Sequence, residues 1–379
     1  MIYLDNAATT FPKPQCVIDE MSKCLKKYCG NPGRSSHTLS VKSAEMIYDT
    51  RVLLSELFDS ENENVVFTYN TTYALNIAIK SLLKYSTHVL ISDIEHNSVL
   101  RPISKCAEQK LCSFDIFPSS GTDDEILKGI EERIKPNTSM IVCTHISNIG
   151  ERKLPIKQIG ELCKKRGFTF IVDGAQSAGI HKISVRDMNI DALCLPAHKG
   201  LYGPQGVGII IFGDNIIGRS VFEGGTGINS LDVNMPDFLP EAYEAGTLST
   251  PAISGLNGSL KWLKSRGIDR IRSHEYELYS LLYDFLSKNE KVVIYKMNNY
   301  LGNTLSLNIV GLSSSAVAEE LNKREICIRS GFHCSPLAHS LMKTGNSGAV
   351  RISIGAFNTK NDIYTVCEAI ESITNKKIR

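Results

Sequence analysis

Apolar, strand-like runs alternate with helix-length amphipathic runs between about residue 41 and residue 213. Such alternation predicts an α/β fold, in which a mostly parallel sheet carries helices on both faces. Helix-length patterns occupy residues 74–83, 124–134 and 156–165. Strands are predicted at residues 64–68, 88–92, 113–117, 140–144, 168–172, 192–195 and 206–212.

The pattern changes after residue 213. A glycine-rich stretch at residues 223–228 and a proline-bearing stretch at residues 234–251 interrupt the alternation. Residues 252–288 then form one long helical pattern. The remaining segments predict a second, smaller α+β domain, with strands at 291–297, 304–310, 326–329 and 349–353 and helices at 315–323 and 361–373.

Charge and apolar content argue against several kinds of partner. The 42 basic and 40 acidic residues leave a net charge of +2, so neither nucleic acid nor an anionic membrane is expected to bind. No run of 18 apolar residues predicts a membrane span, and no secretory leader pattern opens the chain, so a cytoplasmic location is expected. The eleven cysteines are scattered and form no Cys-x-x-Cys pair, so no metal site is predicted.

A lysine stands at the mouth of an apolar strand. Residues 193–197 lead directly into His198 and Lys199, and Gly200 follows. Burying a charged ammonium is costly, and a desolvated lysine has a lowered pKa and reacts with carbonyl compounds such as the aldehyde of pyridoxal phosphate. Taken alone, the segment also fits a solvated loop lysine beside a glycine turn.

An aspartate ends the strand just upstream. Residues 168–172 read as a fully buried strand, and Asp173 follows at its carboxyl end, where open α/β sheets bind their ligands. A pyridinium nitrogen needs such a carboxylate, because the ion pair keeps the ring able to accept electrons. A helix cap is the alternative for Asp173 alone. Together with Lys199, 26 residues further on, it favours a pyridoxal-phosphate site.

A third segment provides an anion site. Residues 69–76 follow a predicted strand and open a helix, with Thr71 and Thr72 in the first turn. The free amides and the dipole of a helix N-terminus attract anions, and threonine hydroxyls add hydrogen-bond donors. The segment therefore fits a phosphate group, although a plain helix cap explains it equally well in isolation.

These segments resemble the class V aminotransferase group of fold-type I pyridoxal-phosphate enzymes, and in particular its cysteine desulfurase branch. The resemblance runs collinearly from about residue 2 to residue 370. It implies that the N-terminal residues join the smaller domain, which gives a large domain at 15–250 and a small domain made of 1–14 and 251–379. The motifs that carry it are residues 3–10, 30–32, 36–37, 173–176, 197–200, 329–334 and 350–353.

The resemblance assigns roles around the cofactor. Lys199 matches the lysine that holds pyridoxal phosphate, Asp173 the partner of the ring nitrogen, and His96 the residue stacked on the ring. The other implied contacts are Gln176 at the ring hydroxyl, Asn148 near the hydroxyl or the substrate, and Thr71, Thr72 and His198 at the phosphate. Thr247 is implied to reach the phosphate of a neighbouring subunit, which implies a homodimer.

One position departs from the family pattern. Family members usually carry serine or threonine three residues before the lysine, as a phosphate ligand. Pro196 stands there in this chain and has neither a hydroxyl nor an N–H. The phosphate contacts are therefore expected to be rearranged or fewer.

Substrate residues are expected in the smaller domain. An arginine in an apolar run, Arg351, matches the residue that binds the substrate carboxylate, and a guanidinium does so bidentately. Cys334 matches the sulfur-accepting cysteine; the neighbouring Arg329 and His333 favour its nucleophilic thiolate. Arg329 is also expected near the substrate, and Arg34 and His37 resemble family residues in the same place.

The resemblance thus implies a cysteine desulfurase that converts L-cysteine to L-alanine and carries the sulfur as a persulfide on Cys334. A sulfur-acceptor protein is the further partner that it implies. Lys199 and His96 join Cys334 as the expected catalytic residues. Three alternatives stay open: a selenocysteine lyase, which takes L-selenocysteine and needs Cys334 less; a class V aminotransferase for another amino acid; and a non-catalytic scaffold that keeps the fold.

Overall fold

A seven-stranded sheet lies at the centre of the computed structural model, which describes residues 1–33, 36–216, 218–297 and 302–375. In that part of the chain the strands are β1 (Ile2–Tyr3), β2 (Val65–Thr68), β3 (Thr87–Ser92), β4 (Cys112–Phe117), β5 (Thr138–Thr144), β6 (Thr169–Asp173), β7 (Ala192–Pro196), β8 (Gly208–Phe212), β9 (Val292–Tyr295), β10 (Thr304–Ile309), β11 (Ile326–Cys327), β12 (Arg329–Gly331) and β13 (Ala349–Ser353). The helices are α1 (Gln15–Lys27), α2 (Thr38–Phe58), α3 (Thr71–Leu82), α4 (Asn97–Glu108), α5 (Asp123–Glu131), α6 (Ile156–Arg166), α7 (Thr250–Arg266), α8 (Ile268–Leu286), α9 (Ser314–Asn322), α10 (Pro336–Met342) and α11 (Lys360–Asn375).

The strand order in the large sheet is β2-β8-β7-β6-β5-β3-β4. Strands β3 to β7 pair in parallel, and β8 runs antiparallel to both of its neighbours. The predicted α/β class with a mostly parallel sheet is therefore confirmed. Because the parallel strands share one direction, the loops that follow them meet at one edge of the sheet.

Both faces of this sheet are covered by helices. On β5, Ile141 belongs to one buried cluster with residues of α2, α6 and α7, whereas its neighbour Val142 belongs to a second cluster with residues of α3 and α4. Successive side chains of a strand point to opposite faces, so an unbroken apolar run such as β5 fills both layers.

A smaller antiparallel sheet, with the order β12-β13-β10-β9, packs on α8, α9 and α11 around a third buried cluster. The predicted single helix at residues 252–288 is wrong, because Gly267 separates α7 from α8 with a φ of 83°. A residue at positive φ cannot continue a right-handed helix. The domain boundary at residue 250 stays a prediction.

The first ten residues connect the two sheets. Strand β1 pairs with β11, and Asp5 forms a β-bridge with Ser353 of β13. Further along, Thr10 N donates to the carbonyl of His198, which follows β7 of the large sheet, over 3.0 Å. No helix in the described residues is long and apolar enough to cross a membrane.

Candidate active site

A cavity of about 230 Å³ opens where β2, β3, β5, β6 and β7 end. It brings together eight residues that the sequence predicted, each carried by the loop or helix that follows one of these strands. They are His96, Lys199, Asp173, Gln176, Thr71, Thr72, His198 and Asn148.

Asp173 is the last residue of β6, and Lys199 lies in the loop that follows the adjacent strand β7, so both line the cavity. Burial lowers the pKa of Lys199 to about 8, with Arg351 and Arg329 adding to the effect and Asp173 opposing it. The lysine side chain is half-buried and lines the cavity. Burial raises the pKa of Asp173, whereas the N–H of Ala175, which donates to its Oδ1 over 2.9 Å, works against that rise.

The first turn of α3 forms one end of the cavity. Asn70 caps the helix by accepting from Tyr73 N, which leaves Thr71 and Thr72 at the positive end of the helix dipole. Thr72 Oγ1 lies 2.8 Å from Ser98 Oγ, so a third hydroxyl joins them. Sequence reasoning missed Ser98, because one serine in a helical first turn is too common to signal a ligand.

His198 provides a further polar atom at this cavity. Its buried Nδ1 has no hydrogen-bond partner among the described residues. Burial lowers its pKa to about 4, with Lys199 and Lys13 adding to the effect, so the imidazole is neutral near pH 7 and can offer one N–H. A buried polar atom without a partner is rare in proteins, and a bound anion would satisfy it.

The backbone around Lys199 is held by the N-terminal segment. The carbonyl oxygen of His198 accepts hydrogen bonds from Thr9 Oγ1, Thr10 Oγ1 and, over 2.8 Å, from Lys13 Nζ. Burial lowers the pKa of Lys13 to about 8. No local pattern in the sequence predicts this contact, which joins residues 185 positions apart.

His96 caps α4 and lines the cavity. Its Nδ1 accepts from Ser98 N over 3.1 Å, and burial lowers its pKa to about 4, so the ring is neutral. Behind it, the fully buried Glu95 accepts from Thr144 N over 2.9 Å and from Ser92 Oγ. Burial raises the pKa of Glu95 to about 8 and keeps this carboxyl protonated at neutral pH.

Gln176 and Pro196 are two further positions that the sequence singled out around the cofactor. Gln176 lines the cavity and donates from Nε2 to the carbonyl of Ala7 over 3.1 Å. Pro196 is the last residue of β7 and lies opposite Gly208 of β8. It is buried and, as expected from the sequence, brings no polar side-chain group to the phosphate end.

Two arginines from the smaller sheet stand side by side. Arg329 and Arg351 are directly opposed on β12 and β13, so their side chains leave the same face of the sheet. Arg351 is 2% exposed, donates to Asp5 Oδ1 over 2.8 Å and to the carbonyl of Asn148 over 3.3 Å. Its Nε has no partner among the described residues. Asp5 neutralises one of the two guanidinium charges, which leaves a surplus positive charge for an anion.

Cys334 is exposed in the short loop between β12 and α10. Its carbonyl accepts from Asn97 N, next to His96, over 2.7 Å. The neighbouring His333 is buried, and burial lowers its pKa to about 2, with the charge of Arg351 adding to the effect. His333 is therefore neutral, so the expectation that it favours the Cys334 thiolate as a cation is wrong; Arg329, on β12, is the charged group of the pair.

Asn148 joins the cavity to the Cys334 loop. It lines the cavity, but its amide Nδ2 donates to the carbonyl of His333 over 2.7 Å and its Oδ1 accepts from Ser335 Oγ over 2.6 Å. Both ends of the amide are thus used by the loop. The predicted contact of Asn148 with a ring hydroxyl or with substrate stays a prediction.

Two predicted residues lie away from the cavity, and a third is not among the described residues. His37 is exposed and caps α2 by accepting from Ser40 N. Thr247 is exposed and lines a separate cavity of about 320 Å³. Arg34 lies outside the described residues.

Comparison with known proteins identifies the family of this chain. The sequence model of the aminotransferase class-V family matches residues 2–366. A probable cysteine desulfurase of Methanothermobacter thermautotrophicus is 30% identical over 389 residues, covering 98% of this chain and 94% of that protein. The solved cysteine desulfurase of Thermococcus onnurineus is 27% identical with a TM-score of 0.88, covering 98% of this chain and 94% of its own. A cysteine desulfurase of Escherichia coli, 23% identical over 98% of this chain and 94% of its own, has the same fold with a TM-score of 0.86. The chain therefore belongs to the aminotransferase class-V family.

Proposed function

We propose that this protein is a pyridoxal-phosphate-dependent cysteine desulfurase, which converts L-cysteine to L-alanine and takes the sulfur onto Cys334 as a persulfide. Relatives named as cysteine desulfurases match the chain along almost its whole length. The observation that carries the proposal is the attachment of the exposed Cys334 loop to the Lys199 cavity through Asn148 and Asn97. A transaminase would need no cysteine at this place.

Enzymes of the aminotransferase class-V family use pyridoxal phosphate, and the cavity fits it. The buried carboxyl of Asp173 would face the ring nitrogen, the neutral ring of His96 would stack on the pyridine, and the Lys199 amine would hold the aldehyde carbon. The phosphate would lie between the first turn of α3, with Thr72, and the unpartnered Nδ1 of His198. When bound, this cofactor would act as an electron sink, because its ring stabilises the negative charge that develops on the carbon atoms of the substrate.

The two arginines would hold the substrate. The carboxylate of L-cysteine fits the surplus positive charge of Arg329 and Arg351, and the unpartnered Nε of Arg351 offers a donor for it. Asp5 fixes the Arg351 guanidinium from its other side. Lys199 Nζ, with its lowered pKa, would accept the proton from the substrate Cα and return it at the end of the reaction.

Sulfur transfer needs no external oxidant or reductant. The Cys334 thiolate attacks the substrate sulfur; a sulfur–sulfur bond forms and the bond between Cβ and sulfur breaks. The electron pair of the broken bond stays with the carbon skeleton, which takes up two protons and leaves as alanine. The transferred sulfur is oxidised to the sulfane level and the substrate carbon is reduced, so the two changes balance.

The proposal extends to the subunit assembly, the cellular compartment and the sulfur acceptor. We propose a homodimer in which Thr247 reaches the cofactor phosphate of the partner. In support, Thr247 is exposed beside the aromatic side chains of Tyr69, Tyr73 and Phe222, which are 60%, 43% and 48% exposed. All eleven cysteines are free, which suits a reducing compartment such as the cytoplasm. A sulfur-acceptor protein would then relieve Cys334 of its persulfide.

The test compares Cys334→Ala with Cys29→Ala, which removes the other exposed cysteine of the chain. The wild type and Cys29→Ala, loaded with pyridoxal phosphate, should release alanine from L-cysteine and gain one sulfur atom on the peptide that bears Cys334. Cys334→Ala should lose both signals. Full alanine release by Cys334→Ala, or release from L-selenocysteine alone by the wild type, would identify a lyase that expels its chalcogen without this cysteine.

A further inference from the structure

The nucleophile loop has an unusual backbone. His333 and Cys334 are consecutive and both lie at positive φ, at 49° and 57°. Non-glycine residues avoid this left-handed region, and two in a row persist only where surrounding contacts hold them. Within the loop, Ser335 N donates to the carbonyl of Phe332 over 3.0 Å, and contacts from outside the loop add to this bond.

Ser335 directs its hydroxyl away from its own helix. It occupies the N-cap position of α10, where a serine side chain normally accepts from an amide of the first turn, yet it makes no such bond. Its hydroxyl donates instead to Asn148 Oδ1 over 2.6 Å. Ser335 is completely buried, so water does not compete for this bond.

Asn148 passes this contact on to the loop. With Oδ1 held by Ser335, the amide can turn only its Nδ2 towards His333, whose carbonyl it contacts over 2.7 Å. The backbone carbonyl of the same asparagine accepts from Arg351 over 3.3 Å. One residue thus connects the expected carboxylate ligand with the peptide that precedes Cys334.

We propose that Ser335 is a positioning residue for sulfur transfer: through Asn148 it holds the carbonyl of His333 and so keeps Cys334 in its left-handed conformation above the Lys199 cavity. The inference rests on the proposed desulfurase function. It adds a residue that touches neither cofactor nor substrate, and it ties the reach of the nucleophile to the site that binds the amino acid.

The test uses Ser335→Ala with Ser340→Ala as the matched control, because Ser340 is exposed on the same helix. In the cofactor-free protein, hydrogen exchange of residues 332–335 should quicken at least tenfold in Ser335→Ala and stay unchanged in Ser340→Ala. Exchange in α10 should not change, because Ser335 does not cap that helix. A cap role would instead speed exchange along α10.

The loaded enzyme provides the second readout. Ser335→Ala should lower kcat for alanine formation about tenfold while the binding of L-alanine stays as in the wild type, and Ser335→Thr, which keeps the hydroxyl, should recover most of the loss. Wild-type exchange at residues 332–335 in Ser335→Ala, or equal loss in Ser335→Thr, would overturn the positioning role. A wild type that makes no alanine would instead refute the desulfurase proposal, because the exchange measurement needs no turnover.

Discussion

Capture of pyridoxal phosphate by the cofactor-free protein should follow the neutral amine of Lys199 and rise with a midpoint near pH 8. Burial places the pKa of this lysine at about 8 instead of 10.5. The difference favours the neutral form by about 3 kcal/mol, because one pKa unit equals about 1.4 kcal/mol. At pH 7.5 about a quarter of the amine is then neutral, against roughly 0.1% for an ordinary lysine.

A second lysine makes this prediction sharper. Lys13 has a pKa of about 8 as well, again because of burial, but its ammonium donates to Thr10 Oγ1 and to the carbonyl of His198, each over 2.8 Å. Only Lys199 lines the cavity with Asp173. Position, and not acidity, should therefore select the lysine that reacts.

The neighbouring charges give the expected shifts. Among the neighbouring charges, Asp173 has the largest effect on the pKa of Lys199, which it raises. Asp173→Asn should therefore move the pH midpoint of cofactor capture below 8. Arg329 lowers the same pKa, so Arg329→Met should move the midpoint upward. General damage to the fold would not shift the pH midpoint in opposite directions when an acidic side chain and a basic side chain are removed in turn.

The assay traps the bound cofactor with borohydride at a series of pH values and locates the pyridoxyl group by peptide mapping. The group should lie on Lys199 in the wild type and in Lys13→Met, and should disappear in Lys199→Ala. A midpoint near pH 10, or a pyridoxyl group on Lys13, would refute the reasoning.

Three further predictions concern residues around the cavity. Ser98→Ala should weaken pyridoxal-phosphate binding about tenfold, which corresponds to the loss of one hydrogen bond to a charged group. Adding Pro196→Ser to this variant should restore the affinity, as measured by equilibrium titration of the cofactor-free protein. If the second substitution restores nothing, Ser98 does not belong to the phosphate site. Glu95 keeps its proton when folded up to about pH 8 but loses it near 4.5 when unfolded, so wild-type stability should fall as pH rises between these values. The glutamine in Glu95→Gln does not titrate, so the unfolding free energy of this variant relative to the wild type should rise by about 2–3 kcal/mol between pH 6 and pH 8, as measured by urea unfolding. A difference that stays constant over this range would contradict the raised pKa. Tyr202→Phe removes the hydroxyl that donates to Glu275 over 3.1 Å and should cost about 2–4 kcal/mol of unfolding free energy, which a melt unchanged from the wild type would disprove.

The fold could be predicted from the sequence where one strand or helix carried its own signal. The segments that form β5 and β6 are apolar on both faces and end in polar residues, so the sequence predicts both their position and that they are strands. The helix break at Gly267 could not be predicted, because a helix tolerates a single glycine and the helical spacing of apolar residues continues on both sides of it. Its positive φ is a property of the tertiary structure.

The site divides in a similar way. Lys199 and Asp173 were recognisable because parallel strands bring their carboxyl ends together whatever the rest of the chain does. The roles of Lys13 and Ser335 depend on contacts with residues more than 180 positions away, and no local pattern announces them. The direction of the Asn148 amide likewise depends on which loop arrives beside it.

The N-terminal segment has a consequence for the order in which this protein is made. Ile2 pairs with Ile326, and Asp5 with Ser353, while Ala8 lines the cavity. Domains usually fold from the N-terminus as the chain leaves the ribosome, and contacts between distant residues form slowly. Here residues 2–5 must wait for partners that are translated more than 300 positions later. The wall of the cavity at Ala8, and the ion pair that orients Arg351, can therefore close only after β13 has been made.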